Sequence, residues 1–497
     1  MDHLKNPARL VFWSAAVLFF ILNILTIHDG HNWGDDFGQY IQHAKNIIQG
    51  RPYASSIMVE PWVVVPPGYP LLLAPFLKFF GVNFKILKLL NVVFWQGFVW
   101  AFYPLLRRRL GEELALLGAL ALLSSPYFFI FKQNVLSDVA FVFFVTTALL
   151  ALTKYDEPLK EGNSQEDGPR TRLFFGTALL LMLYSFLIRP AGSALFIAAI
   201  FYMLAVRKRR KTILFIAFLF LLGIGICEIF GISRADHYMQ FVRLSIKDLP
   251  LVFHQHVIYV LHMVVILYIP TKTFLSIPLF SFLSFFIAKT APFILTGMFI
   301  IFIHRVVKRT ISLMGCFFFF YILGNILWIV EGEARYFLPI MGPLMIFGIE
   351  GFRAACRFLF HGKGERLREG MIRWVLILLI ANNAVSILMD LNFNDNQIYH
   401  KDVREMMQWV KENIRPEERY MFWKPRALAA LTDRTGTPFW IYPEDEKNWP
   451  QRVEQFKIDY LIISKKDRYH LIQQVSDGAL AAQEVWENSG YKIFKVK

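Results

Sequence analysis

The chain has 497 residues, of which 56% are hydrophobic and 18% charged, and its formal net charge is +15. That is too apolar for a soluble globular protein, and many apolar runs reach the roughly 17–25 residues needed to cross a bilayer, so the sequence reads as a polytopic α-helical membrane protein. The positive balance does not point to nucleic acid, because Lys and Arg fall in short clusters between the apolar runs, where they report topology.

In chain order, the first apolar run covers about 10–27, preceded by Lys5 and Arg9, which places the N-terminus on the cytoplasmic side. It lacks a small-residue cleavage site and reads as a retained anchor. Directly after it, in an outer loop spanning about 28–62, come Asp29, Asp35 and Asp36. Carboxylates so close to hydrocarbon are costly without a task. From Asp35 to Ile48 the apolar residues recur at helical spacing, which predicts an amphipathic helix on the membrane surface, closed by Gly50 and Pro52. The stretch 63–76 carries Pro66, Pro67, Pro70 and Pro75, and predicts a dipping, broken element lining a cavity.

Further spans are expected at about 86–106, 114–131, 137–154, 173–188, 192–206, 213–232, 291–303, 311–330, 336–352 and 374–389, giving about eleven in all. A polar cytoplasmic linker is expected from Asp156 to Arg172, and an apolar outer segment at 233–290. Every strongly basic cluster then falls on the inner side and the C-terminus on the outer side. The membrane part ends near 390. The remaining 391–497 change composition: helix periodicity at 403–414, a buried strand at 460–463 and an alternating strand at 491–496 predict a small extracytoplasmic α/β domain. The three cysteines are set in no disulfide-type framework. The absence of any Asn-x-Ser/Thr acceptor agrees with a bacterial source, and hence with the bacterial inner membrane as location.

This topology gathers Asp35, Asp36, Asp138, Arg189, Glu331, Glu333 and Arg335 at the outer boundary, with Tyr69 in the Pro-rich element. Paired carboxylates and arginines suit transfer from a lipid phosphate. One carboxylate takes the proton of an acceptor hydroxyl, and the planar guanidinium neutralises a leaving phosphate. Simpler roles stand beside these. An Asp favours a helix start, Arg189 can snorkel to headgroups, and Arg335 can pair with Glu331 or Glu333. His254, His256 and His262 fit no usual zinc spacing, so no metal site is assigned, although a divalent cation stays open as a cofactor.

Residues 33–40, Trp-Gly-Asp-Asp-Phe-Gly-Gln-Tyr, with Ala44 and Gly50, resemble the first outer loop of GT-C glycosyltransferases, nearest to bacterial relatives of protein O-mannosyltransferases and lipid A aminoarabinose transferases. The stretches 66–73, 137–138, 187–192, 334–339 and 423–428 resemble later signatures in the right order. The resemblance implies a polyprenyl-phosphate-linked sugar donor, inversion at the anomeric carbon, and an acidic base four residues before an aromatic one, which selects Asp36. On this reading Asp36 and Asp35 are catalytic, Arg189 and Arg335 bind donor phosphate, and Asp138, Tyr69 and Glu333 line the sugar or acceptor pocket. The partners are the donor lipid, membrane lipids and a protein, lipid or glycan acceptor. The competing class is transport, a lipid-linked-sugar flippase or a small-solute carrier; a non-enzymatic scaffold is a third.

Overall fold

The structure, a computed structural model, describes residues 7–34, 36–55, 58–59, 64–160, 168–232, 297–327, 334–359, 365–391, 396–439, 448–466 and 470–497. The outer segment predicted at 233–290, with its histidines, lies outside them. Among the described residues nine helical runs are long and apolar enough to span a membrane. They match nine of the expected runs. The other two are helical over the shorter ranges Gly297–Val307 and Leu313–Ile326.

The helices that position the site are α1 (Pro7–Leu25), α2 (Asp36–Ile48), α3 (Gly68–Phe80), α4 (Phe84–Leu110), α5 (Glu112–Leu123), α6 (Pro126–Phe131), α7 (Asp138–Lys160) and α8 (Pro169–Ile188). The third run is two helices rather than one, because Pro126 brings no N–H and begins a new helix at α6. Helix α4 forms the interior, packed against α5 and α7, while α7 packs on α8. Leu18, Leu25, Leu221 and Ile229 point outward from the periphery, as hydrocarbon allows. The basic helix ends meet at one end of the bundle through Arg9–Glu112 (3.0 Å), Arg373–Glu113 (2.8 Å) and Arg109–Glu350 (3.3 Å).

Three further expectations change. The Pro-rich stretch is not broken: α3 is continuous, since Pro66 and Pro67 precede it, Pro70 sits in its first turn where no N–H is needed, and Pro75 alone is interior. The linker does not begin at Asp156. Helix α7 continues to Lys160, and Asp156 is buried, accepting from Tyr202 (2.7 Å) and from Arg207 Nε and Nη2 (2.6 and 2.8 Å). Helix α2 is amphipathic but not a free surface helix: Phe37, Tyr40, Ile41, Gln42, His43 and Asn46 are all buried, between α3 on one side and the C-terminal domain on the other.

That domain has a five-stranded sheet of order β2-β1-β3-β5-β4. Strand β1 (Arg419–Met421) is parallel to β2 (Thr435–Thr437) and β3 (Tyr460–Ser464); β5 (Tyr491–Val496) is antiparallel to β3 and β4 (Ala482–Glu487). Its helices include one at Lys401–Asn413 and another at Pro425–Thr432, the latter termed the contact helix below. The two predicted strands and the predicted helix are present. The sheet edge is extended from the membrane part, as the Val59 N–H donates to the Gly436 carbonyl (3.1 Å) beside a Met58–Gly436 bridge.

Candidate active site

The loop between α1 and α2 sets the position of Asp36, and buried polar groups hold it from below. Lys88, 2% exposed, donates to the His28 carbonyl (2.8 Å). Lys132, fully buried, donates to Asn23 Oδ1 (2.9 Å) and Thr26 Oγ1 (2.5 Å). Gln133 donates to the Thr26 carbonyl (2.6 Å) and accepts from the His28 N–H (3.1 Å). His31 lies next along the chain. The Val135 N–H donates to its Nε2 (2.9 Å), so Nδ1 carries the proton toward the Asn32 carbonyl (2.9 Å). Burial brings this imidazole down to about 4, and its ring packs at a tilt against Phe37 (4.1 Å). None of Lys88, Lys132, Gln133 and His31 stands out by spacing. The signal available was a lysine inside one apolar run, Lys88, and another directly at the end of the next, Lys132.

Asp36 opens α2, where the helix N-terminus favours a carboxylate. Arg335 arrives from the 3₁₀ turn Ala334–Phe337, and its Nη2 donates to Asp36 Oδ2 (3.1 Å). Arg335 Nη1 lies 3.9 Å from Asp138 Oδ2. Asp138 opens α7 and is 1% exposed; its Oδ1 accepts from Arg189 Nη1. Arg189 is held at the end of α8, where Gly68 permits the start of α3 to approach: a Cβ there would sit 2.6 Å from the Leu187 carbonyl carbon. The Tyr336 ring lies between the two guanidiniums, 5.1 Å from Arg189 and 5.3 Å from Arg335. A row Asp36–Arg335–Asp138–Arg189 results, with alternating charge, drawn from four distant segments.

Tyr40, one helical turn after Asp36, shares a hydrogen bond with Ser137 Oγ (2.9 Å) and packs edge-on against Tyr69 (4.9 Å). Tyr69 is fully buried, and its Oη has no hydrogen-bond partner among the described residues. Such a group calls for an explanation, commonly an absent ligand or water. The sequence-predicted Asp36, Asp138, Arg189, Arg335 and Tyr69 are thus brought together. Asp35 and Glu333 lie outside the described residues.

A fifth charged residue was not assigned from the sequence. Arg426, in the contact helix, places Nη2 3.8 Å from Asp36 Oδ1, and its Nη1 donates to Gln39 Oε1 (2.9 Å). The residues 423–428 carried a resemblance that was its only signal. Close backbone packing seats it: a Cβ on Gly38 would lie 2.4 Å from the Arg426 carbonyl oxygen. Burial pushes the Asp36 carboxyl up, but Arg335, then Arg426 and more distantly Arg189 outweigh it and hold the group below its ordinary 3.8. Asp36 is therefore ionised at neutral pH. Among the described residues three guanidiniums face two carboxylates. Among the described residues no group of three or more His, Cys, Asp or Glu could hold a metal ion.

The arrangement can be set against known proteins. Residues 64–229 match the dolichyl-phosphate-mannose-protein mannosyltransferase family, a stretch that contains Tyr69, Asp138 and Arg189 but neither Asp36 nor Arg335. No curated protein matches. The crystal structure of ArnT from Cupriavidus metallidurans in the apo state is similar at 13% identity and a TM-score of 0.53, covering 98% of this chain and 97% of that one. The same protein bound to undecaprenyl phosphate is similar at 12% identity and a TM-score of 0.52, covering 98% and 97%. The archaeal oligosaccharyltransferase AglB from Archaeoglobus fulgidus, in complex with an inhibitory peptide and a dolichol-phosphate, is similar at 12% identity and a TM-score of 0.56, covering 91% of this chain and 69% of that one. The chain is a multi-pass membrane protein with the GT-C glycosyltransferase fold, as its motifs had led one to expect.

Proposed function

We propose that this protein transfers a sugar from a polyprenyl-phosphate-linked donor to an acceptor on the extracytoplasmic face, with inversion, and that Asp36 is the general base. The observation that carries this reading is the row Asp36–Arg335–Asp138–Arg189, with Arg426 closing it at Asp36. Arg335 and Arg189 hold the donor phosphate. Asp138, buried between the two guanidiniums, keeps both aimed at that phosphate. Tyr69 Oη, without a hydrogen-bond partner among the described residues, bonds a hydroxyl of the donor sugar.

Asp36 takes the proton from the acceptor hydroxyl as that oxygen attacks the anomeric carbon and the phosphate leaves from the opposite face. General base catalysis of this kind contributes roughly 10²–10⁴-fold. In the free site Asp36 is a weak base because Arg335 holds it. When the phosphate takes up part of that guanidinium, the carboxylate gains basicity at the moment the acceptor is to be deprotonated. The structural relative bound to undecaprenyl phosphate supports the donor class.

Transport is the second reading. Against it, the charged row sits at helix ends, opening α2 and α7 and closing α8, rather than in mid-span as a carrier site would. The test is binding of undecaprenyl phosphate to the purified protein in detergent, beside transfer in membranes. Arg335→Gln and Arg189→Gln are expected to weaken binding of this phosphate lipid and to abolish transfer. Undecaprenyl phosphate binding that is indifferent to both arginines removes the donor-site assignment.

A further inference from the structure

The two oxygens of Asp36 face different parts of the molecule. Oδ2 receives Arg335 from the membrane part, at 3.1 Å, and leads on to Asp138 and Arg189. Oδ1 faces Arg426 of the C-terminal domain at 3.8 Å, an ion-pair distance too long for a hydrogen bond. Among the described residues Oδ1 accepts no hydrogen bond and is the less engaged of the two oxygens, open to a further proton donor.

The segment leading to Arg426 faces the same loop. Phe422 and Trp423 meet Trp33 edge-on at 5.2 and 6.3 Å, and Trp33 lies three residues before Asp36. Trp33 is buried, whereas Trp423 is 46% exposed, with Lys424 Nζ 5.4 Å from its ring centre. A large aromatic ring held in place on one edge and left open elsewhere is a contact platform at low entropic cost. Arg426 is itself fixed by Gln39 on the neighbouring turn of α2 (2.9 Å).

We propose that the carboxylate of Asp36 divides the site, with Oδ2 on the donor side and Oδ1 on the acceptor side, and that the C-terminal domain supplies the acceptor side through Trp423 and Arg426. This rests on the glycosyl-transfer reading above. Arg426 is a positioning residue: it orients Asp36 so that Oδ1 meets the incoming hydroxyl. Trp423 is the platform beside which the acceptor lies. Neither touches the donor phosphate.

The experiment compares Arg426→Gln, Arg426→Lys and Trp423→Ala with Arg335→Gln in the full-length protein, by two readouts. One is binding of undecaprenyl phosphate to the detergent-purified protein. The other is the glycan product, measured by mass spectrometry of envelopes from cells in which each variant replaces the wild type. The expected result is undecaprenyl phosphate binding within about twofold of wild type for Arg426→Gln and Trp423→Ala, with product down by roughly 10²-fold for Arg426→Gln, the scale of a misplaced reactive group. Arg426→Lys is expected to restore part of the product, because it keeps the charge near Oδ1 while losing the fork on Gln39. Weakened undecaprenyl phosphate binding in Arg426→Gln, matching Arg335→Gln, places Arg426 on the donor side and overturns the division. Unchanged product in Arg426→Gln also overturns it. If Arg426→Gln fails to fold, Trp423→Ala decides alone, since nearly half of Trp423 is exposed and its loss leaves no buried cavity of its size. Asp36→Asn separates the two claims: full product there sinks the transfer reading itself, whereas loss there with full product in Arg426→Gln and Trp423→Ala sinks this inference only.

Discussion

Two aspartates of one cluster are placed in contrasting surroundings, and their substitutions are expected to differ accordingly. The Asp36 side chain is 40% exposed and Asp138 is 1% exposed. Removing the Asp138 carboxylate leaves Arg189 facing a buried void, so Asp138→Ala is expected to lower stability by about 3–5 kcal/mol, read as a fall in the thermal midpoint in detergent. An unchanged midpoint contradicts the buried pairing. Asp36 carries a pH consequence instead. Its folded pKa lies below the unfolded 3.8 because Arg335 and Arg426 outweigh its burial. The stabilisation from pairing is therefore full above 3.8 and is lost as pH falls through the lower folded value. Activity should hold on the acid side down to below 3.8, and Arg335→Gln should move that acid limb upward. An acid limb that stays put in Arg335→Gln means that another group sets it. Asp36, Asp138, Arg189 and Arg335 were legible in the sequence because charge beside long apolar runs is costly and rarely idle. Arg426 was not, because it sits in a polar domain where an arginine is unremarkable, and only the fold brings it to a residue 390 positions earlier.

Helix α2 does the joining between membrane part and C-terminal domain. Its amphipathic period was readable, but the partner of its polar face was not, since a polar face facing water and one facing another domain share one pattern. Here the second holds. Lys45 donates to the Ala430 carbonyl (2.8 Å) and pairs with Asp433 (2.9 Å) at the end of the contact helix, and the Ile398 N–H donates to the His31 carbonyl (3.1 Å). Gly38 is required because the contact helix backbone occupies the space of a Cβ. Gly38→Val is expected to lift the contact helix from α2, to expose the segment at 396–400 to protease, and to lower transfer as Arg426→Gln does. Unaltered cleavage together with unaltered transfer shows that the helices tolerate separation. The Pro-rich α3 was misread for a related reason. Four prolines suggest a break, yet three of them fall before the helix or in its first turn, where no backbone donor is lost.

At the scale of the whole molecule, charge is sorted to two ends. Salt bridges such as Arg9–Glu112 and Arg109–Glu350 tie the basic helix ends together, while Asp36, Asp138, Arg189 and Arg335 meet at the start of α2 and α7 and the end of α8. Apolar run length and the basic clusters between runs were enough to expect this division, because both are local in sequence. The small strands β1, β2 and β4 were not readable, being short or exposed, with little hydrophobic pattern to mark them. Asp36 is the residue that the membrane part and the C-terminal domain both hold, through Arg335 and Arg426. The most direct measurement is transfer of labelled sugar from a polyprenyl-phosphate carrier in membranes containing either wild type or Asp36→Asn at equal abundance. The expected result is a loss of roughly 10²-fold or more, with undecaprenyl phosphate binding and the thermal midpoint retained. Turnover by Asp36→Asn close to that of wild type contradicts the assignment of the base.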